Sequence, residues 1–276
     1  MLLWVSAFAG IRVGLQGYTP GHLALLRFLV ASAVLLLYAV LARMRRPKLR
    51  DLPAILVMGF SGIAVYQMLL SYGEQSVPAG EASLLIASAP CFTALLAHLF
   101  LSERLNSWGW MGMVGSFVGV AIVSLGGHQG MVFSPGAFLI LGAALAESLF
   151  FVVQKPYLGK YSGLELTTYT IWAATLFLLV YAPGLAQQVQ AAPVEMTLAV
   201  VYLGLFPAVA AYITWAYALA RTTASKASSF LYLLPVLAVL IAWLWLNEIP
   251  SVLSLLGGAV VIIGVMLVNA RGRRRM

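Results

Sequence analysis

Ala82-Ser83-Leu84-Leu85-Ile86-Ala87-Ser88-Ala89-Pro90 is matched 145 residues later by Ala227-Ser228-Ser229-Phe230-Leu231-Tyr232-Leu233-Leu234-Pro235. The register extends both ways without a gap: Gly59, Tyr72, Glu103, Gly112 and Gly119 fall on Gly204, Tyr217, Glu248, Gly257 and Gly264. Most of the shared residues are helix breakers, small packers or a loop acid, not the Leu and Val that any two apolar helices have in common. The 276 residues therefore divide into two copies of one design, expected at 1–130 and 131–276. In a membrane protein, an internal repeat points to a carrier whose site lies between the repeats.

Both copies are apolar enough to require lipid. Hydrophobic residues make up 62% of the chain and charged residues 9%, with a mean hydropathy of +0.98. A soluble domain has about 25% charged residues and cannot hide so much apolar surface. Spanning helices need about 20 apolar residues each, and candidate spans fall near 2–16, 22–42, 52–72, 79–101, 108–125, 136–155, 164–183, 196–217, 224–246 and 251–268. The expected fold is thus all-α and polytopic, with about ten transmembrane helices. The first span is short and starts almost at Met1 with no basic flank, as in a chain that lacks a few N-terminal residues. The single Cys91 excludes an internal disulfide framework. No cofactor or metal site is expected.

Charge sets the topology. With a cytoplasmic N-terminus, the inside segments carry Arg43, Arg45, Arg46, Lys48, Arg50, Arg104, Lys155, Lys160, Arg221, Lys226, Arg271, Arg273, Arg274 and Arg275, which is 14 of the 16 basic residues. The other two, Arg12 and Arg27, lie within spans, so the outer loops have none. Both termini are expected in the cytoplasm. The net charge of +8 is then a matter of topology and anionic lipid, not a nucleic-acid footprint. Five spans per half is an odd number, so the second half enters the membrane upside down relative to the first. An inverted repeat of this kind offers two near-equivalent conformations by exchanging the roles of its halves.

Trp4-Val5-Ser6-Ala7-Phe8, Arg12, Pro20 and the pair Arg27-Phe28 resemble the first two helices of the drug/metabolite transporter superfamily, EamA type. The stretch from Ser83 through Pro90 to Leu101-Ser102-Glu103-Arg104 is similar to its fourth helix, as is the second copy from Ser228 through Pro235 to Leu246-Asn247-Glu248. The resemblance covers nearly the whole chain and departs at Val5, where a glycine usually stands. It implies a ten-helix, two-repeat exporter of small metabolites across a bacterial inner membrane, with amino acids as the expected substrates.

Pro90 and Pro235 lie about 11 residues into their spans, near the bilayer midplane. Each removes its own N–H and displaces the carbonyl four residues earlier, on Ile86 and Leu231. A freed carbonyl in lipid must find a partner or face a cavity, and paired breaks in two halves mark a transport site. Tyr66 and Gln67, with Tyr212 as the counterpart of Gln67, suit a pocket for an amphipathic solute; Trp4 and Tyr232 are grouped with them. Glu147 sits near mid-membrane, where a charge is expensive. It reads as a proton-coupling carboxylate, a cation site or a partner of Arg27. Arg12 and Arg27 either attract a carboxylate, snorkel, or bind helix-end carbonyls. His98, one turn before the inner end of its span, is a further coupling candidate. Spans 1, 3, 4, 6, 8 and 9 are expected to wall the cavity. Gly112, Gly115 and Gly119 in span 5, and Gly257 and Gly264 in span 10, allow close helix approach as support or as a homo-oligomer surface.

Three other function classes fit some of these residues. A multidrug or quaternary-cation exporter is favoured if the aromatic residues and Glu147 form a cation site. Gly59-Phe60-Ser61-Gly62 matches the pattern of intramembrane serine proteases, but the second copy has Phe206-Pro207 where Ser61-Gly62 stand. A channel would call for a charged ring or a repeated filter loop, and the sequence has neither.

Overall fold

A computed structural model describes residues 2–100, 106–125, 135–214, 234–247 and 250–271, and among these the chain is helical with no strand. In chain order the helices are α1 (Leu2–Gly14), α2 (Pro20–Leu41), α3 (Leu52–Gly59), α4 (Tyr66–Gly73), α5 (Ala79–Ile86), α6 (Ala89–Phe100), α7 (Ser107–Leu125), α8 (Pro135–Gln154), α9 (Gly163–Leu178), α10 (Leu185–Ala191), α11 (Val194–Leu205), α12 (Leu234–Leu246) and α13 (Val252–Arg271). Five continuous stretches are long and apolar enough to cross a membrane, at Pro20–Leu41, Leu49–Gly73, Pro135–Gly159, Gly163–Tyr181 and Val194–Thr214. Shorter apolar helices begin at Leu2, Ser107 and Val252. The third span, α3 to α4, is joined by the π-helical segment Phe60–Val65, and α11 continues into the π-helical segment Phe206–Ala210. The two π segments are repeat equivalents, since residues 60–65 shifted by 145 become 205–210.

The helix starts follow local chemistry. Thr19 caps α2, its side chain accepting from the His22 amide, with Pro20 in the first turn. Ser162 and Glu165 form a reciprocal capping box on α9. The short helix α10 lies between the candidate spans at 164–183 and 196–217.

The fourth span breaks where its proline predicts. α5 stops at Ile86 and α6 starts at Ala89, one residue before Pro90. Serines satisfy the backbone around the break: Ser88 Oγ donates to the Leu85 carbonyl at 2.7 Å, and Ser148 Oγ lies 2.7 Å from both the Ala89 and Ala144 carbonyls. The counterpart stretch with Leu231 and Tyr232 lies outside the described residues. The side chains of Pro90, His98 and Pro235 are likewise not described.

α7 and α13, the fifth helix of each repeat, pack on one another and expose the inverted symmetry. A Cβ on Gly119 would meet the Gly257 carbonyl and the Val261 amide at 2.6 Å, while one on Gly264 would meet the Gly112 carbonyl at 2.5 Å and the Ser116 amide at 2.6 Å. Rising numbers on one helix therefore meet falling numbers on the other, and the pair is antiparallel. Ser116 Oγ donates to the carbonyl of its own repeat counterpart, Val261, at 3.2 Å. Repeat-equivalent helices that run antiparallel across a shared midpoint belong to repeats of opposite orientation. Repeat-equivalent glycines are also used alike: Gly59 abuts Thr170, Ala173 and Ala174 on α9, and Gly204 abuts Arg27 and Val30 on α2, the repeat counterpart of α9. Gly115 corrects the sequence reading: a Cβ there meets nothing within 4 Å, so this glycine plays no part in the close approach.

Candidate substrate site

Four helices bring the chemistry together. α2 contributes Arg27, α4 contributes Tyr66 and Gln67, α8 contributes Glu147, and the helical continuation at 211–214 contributes Tyr212. Arg27 is 5% exposed. Its Nη1 donates to Gln67 Oε1 at 2.6 Å, and Gln67 Nε2 donates in turn to Ser71 Oγ at 2.8 Å. The Arg27 Nε is buried and has no hydrogen-bond partner among the described residues. The guanidinium of this intramembrane arginine is thus hydrogen-bonded to a neutral amide relay, while the buried carboxyl of Glu74 acts on it electrostatically without a hydrogen bond between them among the described residues.

Glu147 is placed by helix phase. Phe138 and Leu145, seven residues apart on one stripe of α8, are exposed. Glu147 is two residues beyond Leu145, turned by about 200°, and so points away from that lipid-facing stripe. Its neighbours Ala143, Ala144 and Ser148 are buried, yet Glu147 itself is only half-buried. Among the described residues its carboxyl makes no hydrogen bond and no ion pair, and Arg27 does not pair with it.

Tyr66 and Tyr212 interact with both of these groups. Both lie within electrostatic range of Arg27 and of Glu147. Each is half-buried. Other tyrosines at depth find partners: Tyr202 Oη pairs with Ser6 Oγ at 2.6 Å, and Tyr169 Oη donates to the Arg45 carbonyl. Among the described residues the hydroxyls of Tyr66 and Tyr212 make no hydrogen bond. The Trp4 ring meets the Tyr212 ring edge-on, centroids 5.4 Å apart, which extends an aromatic wall to α1. Arg27 Nε, two phenols and one carboxyl therefore share one region of the protein interior without hydrogen-bond partners among the described residues.

Both ends of the bundle are clasped. At the arginine-rich end, Arg45 holds Glu165 through Nε and Nη2 at 3.1 and 3.3 Å, and Asp51 accepts from Tyr161 Oη at 2.8 Å and Lys160 Nζ at 3.1 Å. The Glu165 carboxylate raises the Arg45 pKa above its ordinary value. A cleft of about 240 Å³, lined by Tyr38, Arg43, Arg45 and Glu165 among others, opens at this end and is separate from the interior cluster. At the opposite end Tyr18 Oη pairs with Thr197 Oγ1 at 2.7 Å, and His22 Nδ1 with Gln188 Oε1. Arg12 donates to the Glu74 carbonyl just past α4 at 2.6 Å, one of the roles the sequence offered for it.

The sequence singled out Trp4, Tyr66, Gln67, Glu147, Tyr212 and Arg27, and the structure brings these together. It does not join Arg27 to Glu147. The sequence reading overlooked Ser71, the acid Glu81, which is 3% exposed and accepts from Ser254 Oγ at 3.0 Å, and the two π segments. π-Bulges concentrate at functional sites, and these two directly precede Tyr66 and the helical turn that carries Tyr212. Pro207 was the one visible sign of them. Ser61 Oγ donates to the Val57 carbonyl of its own helix at 2.8 Å.

Residues 1–125 and 134–270 each match the EamA-like transporter family. The chain is 48% identical over 263 residues to an uncharacterized transporter, YdfC, of Bacillus subtilis, covering 95% of this chain and 86% of that protein. It is 44% identical over 281 residues to a probable terminal-alkyne amino-acid exporter of Streptantibioticus cattleyicolor, covering 100% of this chain and 93% of the relative. An uncharacterized inner membrane transporter of Escherichia coli, YedA, is 28% identical over 271 residues, covering 97% and 87%. A solved crystal structure shares the fold with a TM-score of 0.65 at 21% identity, over 96% of this chain and 92% of that one.

Proposed function

The chain belongs to the EamA-like transporter family, and we propose that it exports small amphipathic amino acids across the bacterial inner membrane by alternating access. In this reading 1–130 and 131–276 are the two repeats, and both termini are cytoplasmic. The observation that carries it is the convergence of Arg27, Tyr66, Tyr212 and Glu147, drawn from both halves, in the interior between the two clasped ends. Such polar groups are costly at depth and mark a solute path. The break before Pro90, and the one that the sequence repeat implies at its counterpart Pro235, supply the places where helices bend. The named exporter of terminal-alkyne amino acids supports amino acids as the class.

A second reading has its own support. Glu147 with Trp4, Tyr66 and Tyr212 is also the furniture of a quaternary-cation site. Counterflow in proteoliposomes separates the two. Vesicles loaded with unlabelled L-amino acids, including L-propargylglycine, should accumulate the labelled compound, whereas tetraethylammonium should not exchange. Exchange of tetraethylammonium without any amino acid would replace the first reading with the second. Flux without counterflow would indicate a channel.

A further inference from the structure

We propose that Arg27 and Glu147 are the two poles of one zwitterion site, in which Arg27 receives the α-carboxylate and Glu147 the α-ammonium of a single amino acid. The inference rests on the exporter reading above and adds the groups that recognise the substrate.

The argument starts from what the two residues lack. Opposite charges within one protein interior normally pair, because leaving a charge alone there costs several kcal/mol. Here Arg27 is bonded to a neutral glutamine and keeps a buried Nε without a partner. Glu147, on the side of α8 turned away from its lipid-facing stripe, makes no hydrogen bond or ion pair among the described residues. The geometry holds them apart: Gln67, fixed by Ser71, anchors the guanidinium on the α2–α4 side, and α8 carries the carboxyl from another direction. Tyr66 and Tyr212 lie within electrostatic range of both, and among the described residues their hydroxyls make no hydrogen bond. A phenol can donate to a carboxylate or accept from an ammonium. A free amino acid brings both missing countercharges on adjacent atoms. The guanidinium fork matches a carboxylate. Among the described residues Glu74 acts on Arg27 only electrostatically, so a cation alone would leave the guanidinium fork with no carboxylate at hydrogen-bond distance, and an anion alone would leave Glu147 with no cation. Trp4, edge-on to Tyr212, borders the site on the α1 side, where an apolar side chain can lie.

The test uses wild-type protein and three probes in a competition for labelled L-propargylglycine counterflow. These are unlabelled L-propargylglycine, its decarboxylated amine but-3-yn-1-amine, and its N-acetyl derivative. Each analogue lacks one pole and should compete about tenfold or more weakly, the equivalent of one charged hydrogen bond. Arg27→Gln should then erase the preference for the amino acid over the amine, and Glu147→Gln the preference over the N-acetyl compound. Arg27→Lys should keep part of the carboxylate preference. Because the wild-type ranking needs no variant, a misfolded mutant does not rescue the idea. Equal competition by both analogues, with amino-acid exchange intact, would overturn the zwitterion site and leave the exporter reading standing. Absence of any amino-acid exchange would overturn both.

Discussion

Replacing Gln67 with Ala removes the one acceptor that Arg27 has among the described residues. A buried charged donor left without a partner costs about 1–3 kcal/mol or more, so the purified Gln67→Ala protein should unfold several degrees below wild type in detergent. Gln67→Glu makes the opposite point. It gives Arg27 an anion at hydrogen-bond distance, so stability should hold or rise, while amino-acid affinity falls because the carboxylate pole is already filled. A Gln67→Glu protein with wild-type affinity would remove Arg27 from the site. At this scale the sequence was a good guide to identity and a poor one to partnership. Gln67, Tyr212 and Glu147 stood out because polar residues in long apolar spans are conspicuous. Nothing in spacing could reveal that Arg27 reaches across 40 positions to Gln67, since that contact exists only once α2 and α4 pack.

The elements carry two kinds of irregularity, and only one was legible. Pro90 announces its break because proline has no N–H to give. The π segment Phe60–Val65 has no such residue and so no sequence mark. The break is expected to serve movement more than folding. Pro90→Ala and Pro235→Ala should therefore insert and purify normally but exchange substrate at an altered rate or apparent affinity; two well-folded mutants with wild-type kinetics would refute that role. The α7–α13 pair makes a further demand. Gly119→Ala and Gly264→Ala each drive a methyl into backbone at 2.5–2.6 Å, so each should cost about 1–3 kcal/mol by overpacking. The two losses should be similar, because the positions are equivalent. Gly115→Ala, which meets open space, should be neutral or slightly stabilising by helix propensity. Thermal melts of the three proteins check the ordering, and a destabilising Gly115→Ala would contradict the packing.

For the whole molecule, the repeat at 145 residues and the arginine bias were enough to infer an inverted ten-helix plan. The antiparallel meeting of Gly119 with Gly257 and of Gly264 with Gly112 gives that plan its geometry. The central claim is that the two halves open the same interior alternately to the two sides. With the buried Cys91 replaced by Ala, single cysteines at Gln67 and its repeat counterpart Tyr212 can report access from each face. The measurement is labelling by a membrane-impermeant thiol reagent in right-side-out and inside-out vesicles, with and without substrate. Alternating access predicts reciprocal labelling: conditions that open position 67 to the outside close position 212 to the inside, and bound substrate protects both. Simultaneous labelling of both positions from their respective faces, unaffected by substrate, would contradict the account.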